Sequence, residues 1–203
     1  MSNQVRRRGV LFVVSAPSGA GKTTLVEALR QTPNLFYSVS FTTRPPRTGE
    51  IDGEDYRFLS QENFRARITT GDFLEYAQVH GDFYGTLREP VLTNLNDGVD
   101  VLIDIDTQGA ATIRNSENPV IGDALADVFI MPPNIDELRR RLCKRGTETE
   151  EQINRRLETA LREMELWRDY RYTLISGSIE EDLERFRHIM AAESYLSRRL
   201  RRT

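Results

Sequence analysis

The chain has 203 residues, 38% of them hydrophobic and 29% charged, which suits one domain with a single hydrophobic core. Its 31 acidic residues outnumber its 28 basic residues, and the net charge of −3 argues against a dedicated nucleic-acid-binding domain. One cysteine excludes an intrachain disulfide and any multi-cysteine metal site, and two histidines argue against a His-rich one. The longest apolar run covers only residues 10–14, against the ~20 residues that cross a bilayer, so we expect a cytoplasmic protein without membrane contact.

A buried strand, a glycine-containing loop and a helix are predicted to open the chain. Residues 10–14 are continuously apolar, which is typical of a strand buried on both faces. Small residues fill positions 15–21, and apolar residues at helical spacing then predict a helix over residues 23–30.

Residues 38–90 differ from this opening and predict a small mixed α/β lobe. The segment is polar and rich in turn signals. Short aromatic stretches at residues 55–58 and 73–79 predict strands, and residues 61–70 predict a helix capped by Ser60. We call residues 38–90 the mixed lobe.

Three further apolar runs, at residues 99–105, 126–131 and 172–175, predict more buried strands. The first is followed by a helix that begins near Gln108. Because these strands alternate with helical segments, we expect an α/β fold whose parallel sheet is flanked by helices on both faces.

Two charged helical segments complete the chain. Residues 134–171 are interrupted at residues 144–147, which predicts a helical hairpin that stands away from the core; we call residues 134–171 the charged hairpin. Residues 179–200 predict a terminal helix packed on the sheet and followed by a basic tail. We therefore expect a single domain over residues 8–202, divided into a core (8–37, 91–133 and 172–202), the mixed lobe and the charged hairpin.

The first loop carries a nucleotide-binding motif. Apart from Ala16 at its first position, it matches the pattern of Gly, four residues and Gly-Lys-Ser/Thr. Gly19 and Gly21 permit close approach of the backbone, so N–H groups at a helix N-terminus can face a phosphate. Lys22 would then reach the β and γ phosphates, and the Thr23 hydroxyl would bind Mg²⁺. A simple turn of small residues is the alternative, but the Gly-Lys-Thr sequence between strand and helix favours a phosphate loop.

A second anion site is indicated in the mixed lobe. Arg44 and Arg47 flank two prolines, which hold that stretch in a stiff, non-helical conformation. Two guanidinium groups with the hydroxyls of Tyr56 and Tyr84 could enclose one phosphate dianion. Taken singly, each residue is better explained as a solvated arginine or a packed tyrosine.

Glu75 is a charged residue inside an apolar strand, so its side chain lies either on the solvent face or buried against a specific donor. Guanine presents adjacent N1–H and N2–H₂ donors that one carboxylate can accept. Adenine presents an acceptor at N1 instead, and a buried group without a partner costs ~1–3 kcal/mol. A carboxylate is therefore a simple means of selecting guanine.

Asp104 and Asp106 end the strand over residues 99–105, and their spacing places both on one face of it. Carboxylates at the C-terminal end of a parallel strand are well placed to bind Mg²⁺ or a ligand. Capping of the following helix is the alternative, more credible for Asp106 than for Asp104. In the charged hairpin, Arg141, Arg145 and Arg156 are more simply explained as a solvated helix face.

Together these residues resemble the guanylate kinase family over nearly the whole chain. The more specific part of the resemblance lies in SVSFTTRPPRTGE (38–50), GEDY (53–56), FLE (73–75), YGT (84–86), DIDTQG (104–109) and RLCKRGTETE (141–150). It implies a P-loop NTPase-type core with a GMP-binding lobe and a helical lid. It also implies Mg²⁺-dependent transfer of the ATP γ-phosphate to GMP, with dGMP accepted as well.

The resemblance also implies roles for individual residues. ATP binding is implied for Ala16, Pro17, Ser18, Gly19, Ala20, Gly21, Lys22, Thr23 and Thr24, with the metal at Thr23 and Asp104. GMP binding is implied for Ser40, Arg44, Arg47, Tyr56, Glu75, Tyr84, Thr86, Asp104 and Asp106. Catalytic roles are implied for Lys22, Arg44, Arg141, Arg145 and Arg156.

Two other functions remain open from the sequence. Guanylate-kinase-like domains of scaffolding proteins bind peptides, but they lack the phosphate loop that is present here. A kinase with another acceptor, such as dGMP or a phosphorylated sugar, is the second alternative. We expect nucleotides as the partners rather than nucleic acid or membrane, and the sequence is compatible with a monomer or a homo-oligomer.

Overall fold

The computed structural model describes residues 5–79, 81–143 and 149–202. Its strands are β1 (Val5–Arg7), β2 (Leu11–Ser15), β3 (Leu35–Tyr37), β4 (Phe41–Thr42), β5 (Arg57–Phe58), β6 (Phe73–Val79), β7 (Asp82–Leu87), β8 (Asp100–Asp104), β9 (Leu125–Met131), β10 (Tyr172–Ile175) and β11 (Leu200–Arg202). Its helices are α1 (Lys22–Leu29), α2 (Gln61–Thr69), α3 (Arg88–Asn96), α4 (Thr107–Arg114), α5 (Pro119–Ala124), α6 (Ile135–Cys143), α7 (Glu150–Met164) and α8 (Ile179–Ser194).

A five-stranded parallel sheet forms the core, in the order β10-β9-β2-β8-β3. The middle strand β2 is buried along its whole length, which explains its continuous apolar sequence. Along the chain, β2 is followed first by β3 and β8, which lie on one side of it, and then by β9 and β10, which lie on the other side. A crevice opens at the carboxyl end of the sheet where the strand order reverses in this way. The α/β fold expected from the alternating strands and helices is confirmed.

Successive residues of β2 point to opposite faces of the sheet and so join two separate hydrophobic clusters. Leu11 and Val13 pack on the side of α3, α4 and α5. Phe12 and Val14 pack on the other side, with residues of α1 and α8. The sheet is therefore covered by helices on both faces, as the sequence predicts.

The mixed lobe has its own four-stranded sheet, in the order β5-β4-β7-β6. Its core is a cluster of aromatic rings, namely Phe41, Phe64, Phe73 and Phe83. The expected strand β6 and the expected helix α2, capped by the Ser60 side chain, are both present. The strand predicted over residues 55–58 is shorter and begins at Arg57, whereas β7 and α3 were not predicted, because turn residues and prolines mask their patterns.

The charged hairpin consists of α6 and α7, which pack through Leu138, Leu142 and Ala160. This cluster is separate from those of the sheet, which agrees with a hairpin that stands away from the core, but the hairpin also contacts the phosphate loop. Arg141 donates a hydrogen bond to the Ala20 carbonyl, so α6 lies against the phosphate loop. The sequence pattern identified the helices but carried no information on this long-range contact.

The two ends of the described chain pair as an antiparallel ribbon of β1 and β11. The terminal helix α8 ends at Ser194 rather than near residue 200. Beyond it, Arg199 of the basic tail is buried and forms an ion pair with Glu193, which is also buried. Within the described residues, no helix is both long enough and apolar enough to span a membrane.

Candidate functional site

The phosphate loop surrounds a cavity of about 280 Å³, which we call the loop cavity. Gly19 and Gly21 adopt φ values of 89° and 102°, a region that favours glycine, so the motif glycines match their conformational role. The loop ends at the N-terminus of α1, where backbone N–H groups are available to an anion. The cavity is lined by all nine residues expected at the ATP site and by Arg141, namely Ala16, Pro17, Ser18, Gly19, Ala20, Gly21, Lys22, Thr23, Thr24 and Arg141.

Two arginines of the charged hairpin reach the phosphate loop. The Arg141 guanidinium donates to the Ala20 carbonyl at 2.9 Å and to the Ser176 hydroxyl at 3.1 Å. Arg156 donates to the Ser18 hydroxyl at 2.6 Å. These contacts contradict the simpler explanation of a solvated helix face, whereas Arg145 lies outside the described residues.

A second cavity of about 230 Å³ opens between the mixed lobe and the end of β8, and we call it the lobe cavity. The Ser40 hydroxyl there is buried and has no partner among the described residues, so it can still bind a ligand. Lys22 lines this cavity as well as the loop cavity. The other lining residues are Tyr56, Glu75, Ala77, Val79, Tyr84, Gly85, Asp104, Ile105 and Asp106.

The Glu75 side chain is buried, with 4% of its surface exposed, so the solvent-face alternative is excluded. Its Oε1 accepts a hydrogen bond of 2.7 Å from the Thr86 hydroxyl, which fixes the carboxyl group. Burial, opposed by hydrogen bonding to Thr86 and assisted by the nearby charge of Asp106, raises the pKa of Glu75 to about 7. Among the residues that the structure describes, no ion pair to Glu75 is present, so its acid group can accept from ligand donors.

Arg44 lies beside this cavity and is held by an internal carboxylate. Its guanidinium donates to Glu50 at 2.8 Å and lies 5.4 Å from the centre of the Tyr56 ring. The bond to Glu50 raises the pKa of Arg44, and a bond to Tyr84 adds to this effect. The structure thus brings Arg44, Tyr56 and Tyr84 together, as the sequence predicts.

Arg47 is not brought to the cavity in the same way. Its side chain is exposed, and its backbone N–H donates to Glu50 at 2.7 Å. Thr86 is fully buried behind Glu75, so it holds that residue from within the protein. Of the residues predicted to bind GMP, Arg47 is therefore exposed, and Thr86 holds Glu75 in place.

Tyr37 is a contributor that the sequence analysis missed. Its hydroxyl donates to Asp104 Oδ1 at 2.9 Å, and Asp104 Oδ2 lies 3.4 Å from Lys22 Nζ. Burial and the Asp104 charge raise the pKa of Tyr37, which keeps it a hydrogen-bond donor. Only the pairing of β3 with β8 shows that a tyrosine at residue 37 would reach the aspartate.

Asp106 does not lie on the strand beside Asp104, as the spacing suggested, because β8 ends at Asp104. Asp106 is instead the N-cap of α4, and its Oδ1 accepts the Gly109 N–H at 2.8 Å. The capping alternative is thus confirmed for Asp106, although the residue also lines the lobe cavity.

The Thr23 hydroxyl and the Asp104 carboxylate suit a Mg²⁺ ion that is bound mainly by substrate and water, rather than a metal ion that is enclosed by protein ligands. The described residues contain no cluster of three or more His, Cys, Asp or Glu side chains that could hold an ion. Mg²⁺ is commonly bound by one or two protein oxygens together with substrate phosphates and water. The Thr23 hydroxyl lines the loop cavity and the Asp104 carboxylate lines the lobe cavity, and both are oxygen groups of the type that Mg²⁺ accepts.

A family model, two sequence relatives and one solved structure that are similar to this chain all carry the name guanylate kinase. The sequence model of the guanylate kinase family matches residues 8–193. The guanylate kinase of Ruegeria sp. (strain TM1040) is 44% identical over 94% of this chain and 87% of its own length, and that of Alkalilimnicola ehrlichii is 45% identical over 92% and 90%. The crystal structure of guanylate kinase from Anaplasma phagocytophilum is 34% identical, with a TM-score of 0.78 over 97% of this chain and 92% of that one.

Proposed function

Since the chain belongs to the guanylate kinase family, we propose that the loop cavity binds ATP and the lobe cavity binds GMP. Members of this family transfer the γ-phosphoryl group of ATP to GMP, giving ADP and GDP, and this is the activity of the chain. Lys22 lines both cavities, which supports its assignment to the region where the two phosphates meet.

The buried carboxyl group of Glu75 is the observation that carries the assignment of the acceptor. Guanine can satisfy it with two adjacent N–H donors, whereas adenine would leave it facing a lone pair. Ser40 and Thr86 complete the proposed base contacts, Ser40 through a hydroxyl that has no hydrogen-bond partner in the described part of the chain and Thr86 through its bond to Glu75.

We propose that Arg44, Tyr56 and Tyr84 bind the GMP phosphate, because the three residues are in contact with one another beside the lobe cavity. Arg47 joins them by moving its exposed side chain toward the same anion. Asp104 and Asp106 form the floor of the cavity, where Asp104 orients Lys22 and Asp106 holds the start of α4.

Transfer requires positioning and charge neutralisation rather than a general base. A GMP phosphate oxygen is already anionic near neutral pH, since the second pKa of a phosphate monoester is about 6. This oxygen forms a bond to the γ phosphorus while the bond from that phosphorus to the β–γ bridging oxygen breaks, and ADP leaves with the electron pair. Lys22, Arg44, Arg141, Arg156 and Arg145, the last outside the described residues, stabilise the negative charge.

Thr23 and Asp104 would hold the metal, whose contribution when bound is to neutralise charge on the β and γ phosphates. Arg141 and Arg156 tie the charged hairpin to the loop, and we assign the hairpin the role of a lid that excludes water. In the same proposal the mixed lobe is the GMP-binding region and the remainder of residues 8–202 the core. We include dGMP as an acceptor and assign the enzyme to the cytoplasm, where these nucleotides occur.

A coupled assay of ADP release over all nucleoside monophosphates and dGMP tests the acceptor. We expect ADP release that depends on GMP or dGMP. Nucleotide binding without turnover would favour the peptide-binding alternative, and ADP release that requires another acceptor instead of GMP would favour a kinase with that acceptor.

Glu75→Gln tests the assignment of the base reader. The amide places a donor against guanine's own donors, so we expect the preference for GMP over AMP in kcat/KM to fall about 10- to 100-fold. Glu62→Gln, an exposed position on α2 of the same lobe, is the matched control. An unchanged preference in Glu75→Gln would remove Glu75 from base recognition.

A further inference from the structure

Gly109 lies in the first turn of α4 directly against the Glu75 carboxyl group. A Cβ atom placed on Gly109 would lie 2.6 Å from Glu75 Oε2 and 3.2 Å from Glu75 Cδ. The residue is buried, and its φ is not among the positive values that favour glycine. Since glycine weakens a helix relative to alanine, the space it leaves is the physical reason for its presence.

The two oxygens of Glu75 are thus fixed from opposite sides. Thr86 on β7 donates to Oε1 at 2.7 Å, while Oε2 rests against the bare Cα region of Gly109 on α4. The N–H of Gly109 is already bound to Asp106, so it holds the helix start in place rather than competing for Glu75. The position of the carboxyl group therefore depends on an empty volume as well as on a hydrogen bond.

We propose that Gly109 is a positioning residue for guanine recognition, acting through Glu75. This inference rests on the proposed function of Glu75. A methyl group at residue 109 must push Oε2 from 2.6 Å to ordinary contact beyond 3.4 Å, because Gly109 is held within α4 and Glu75 is held by its pairing with Thr86 of β7. A displacement of this size disturbs a carboxylate that has to meet two base donors at once.

Gly109→Ala tests the inference, with Gly122→Ala as the matched control. Gly122 lies in α5, and nothing lies within 4 Å of a Cβ placed there. We expect the KM for GMP of Gly109→Ala to rise about 10- to 100-fold, since misplacement near 1 Å can cost on the order of 100-fold. The KM for ATP and the KM for AMP are expected to stay within about threefold of the control, because neither depends on a fitted Glu75.

A second background separates positioning from a general structural effect. In Glu75→Ala the carboxyl group is gone, so adding Gly109→Ala is expected to cause no further change in the GMP-to-AMP preference. An equal loss in both backgrounds, or a Gly109→Ala enzyme that matches Gly122→Ala, would overturn the inference. If Gly109→Ala fails to fold, folding of the double variant supports the contact with Glu75, and failure of both overturns it.

The same variants distinguish this inference from the proposed function. Glu75→Ala with an unchanged preference for GMP would refute base reading by Glu75, and the inference with it. Glu75→Ala with a lost preference, together with an unaffected Gly109→Ala, would leave the proposed function intact and refute only the role of Gly109.

Discussion

The loop cavity and the lobe cavity are built on different principles. The loop cavity is formed almost entirely by one continuous segment, residues 16–24, whose backbone groups face the space. The lobe cavity is assembled from side chains that lie far apart in the sequence, on β6, β7, β8 and the segments next to them. Backbone N–H groups bind phosphate whatever base is attached, whereas side chains can select a base only if each one is held in place.

The two cavities also differ in charge. Arg141 brings a cation to the loop cavity, and Lys22 is shared between the two. The lobe cavity adds three acidic side chains, Glu75, Asp104 and Asp106, of which Asp104 pairs with Lys22. The loop cavity is therefore suited to bind polyphosphate strongly, and the lobe cavity is suited to discriminate among weaker ligands.

Removal of the shared cation gives the largest expected effect. Lys22→Ala should lower kcat by about 1000-fold, because it removes a preorganised donor to the charge that develops in transfer. The Kd for GMP, measured by calorimetry, should change much less, since the lobe cavity keeps Glu75 and Arg44. Arg187→Ala, an exposed cation on α8, serves as control, and near-normal turnover in Lys22→Ala would contradict the role given to this lysine.

Two adjacent arginines on α7 provide a test of whether contact with the loop cavity contributes to phosphoryl transfer. Arg156 contacts Ser18 of the loop, whereas Arg155 pairs with Glu151 at an exposed position. We expect Arg156→Ala to lower kcat/KM for ATP by roughly 30-fold and Arg155→Ala to leave it nearly unchanged. Steady-state kinetics with ATP varied at saturating GMP measures this, and equal effects of the two substitutions would mean that the contact with Ser18 has no role in transfer.

The smallest expected effect is a pH dependence of kcat/KM for GMP, which arises in the lobe cavity. Glu75 has its pKa raised to about 7, so it becomes protonated and loses an acceptor as the pH falls through that value. We expect kcat/KM for GMP to fall about tenfold between pH 8 and pH 6.

The GMP phosphate also titrates near pH 6, and Glu75→Gln separates the two contributions. The glutamine variant should retain only the part that comes from the phosphate. Identical pH profiles of kcat/KM in the two enzymes would show that Glu75 does not titrate in this range.

The sequence predicts the loop cavity more completely than the lobe cavity, for a physical reason. The loop motif is contiguous, so Gly19, Gly21 and Lys22 could be assigned together from their spacing. Glu75 could be singled out as a charge in an apolar strand, but its burial is visible only when α4, which is distant in the sequence, packs against β6. Tyr37 gave no signal at all, since its partner becomes visible only when β3 pairs with β8.

The core strands were also predicted from signals that lie within one continuous segment of the sequence. Burial on both faces leaves a continuous apolar run, and the predicted strands over residues 99–105, 126–131 and 172–175 correspond closely to β8, β9 and β10. Position alone favoured a solvated surface for Arg141 and Arg156, whereas the family resemblance implied a lid, and the structure shows that both residues contact the loop. The bounds of the lobe and the lid, and the roles of the site residues, stay predictions.

The ribbon of β1 and β11 has a practical consequence, because it sets Val5 directly opposite Arg202. A short glycine linker can therefore join Val5 to Arg202, and new chain ends can be opened at the exposed turn around Gly71. Such a circular permutant would place α2 and β6 at opposite ends of the polypeptide while keeping the phosphate loop continuous.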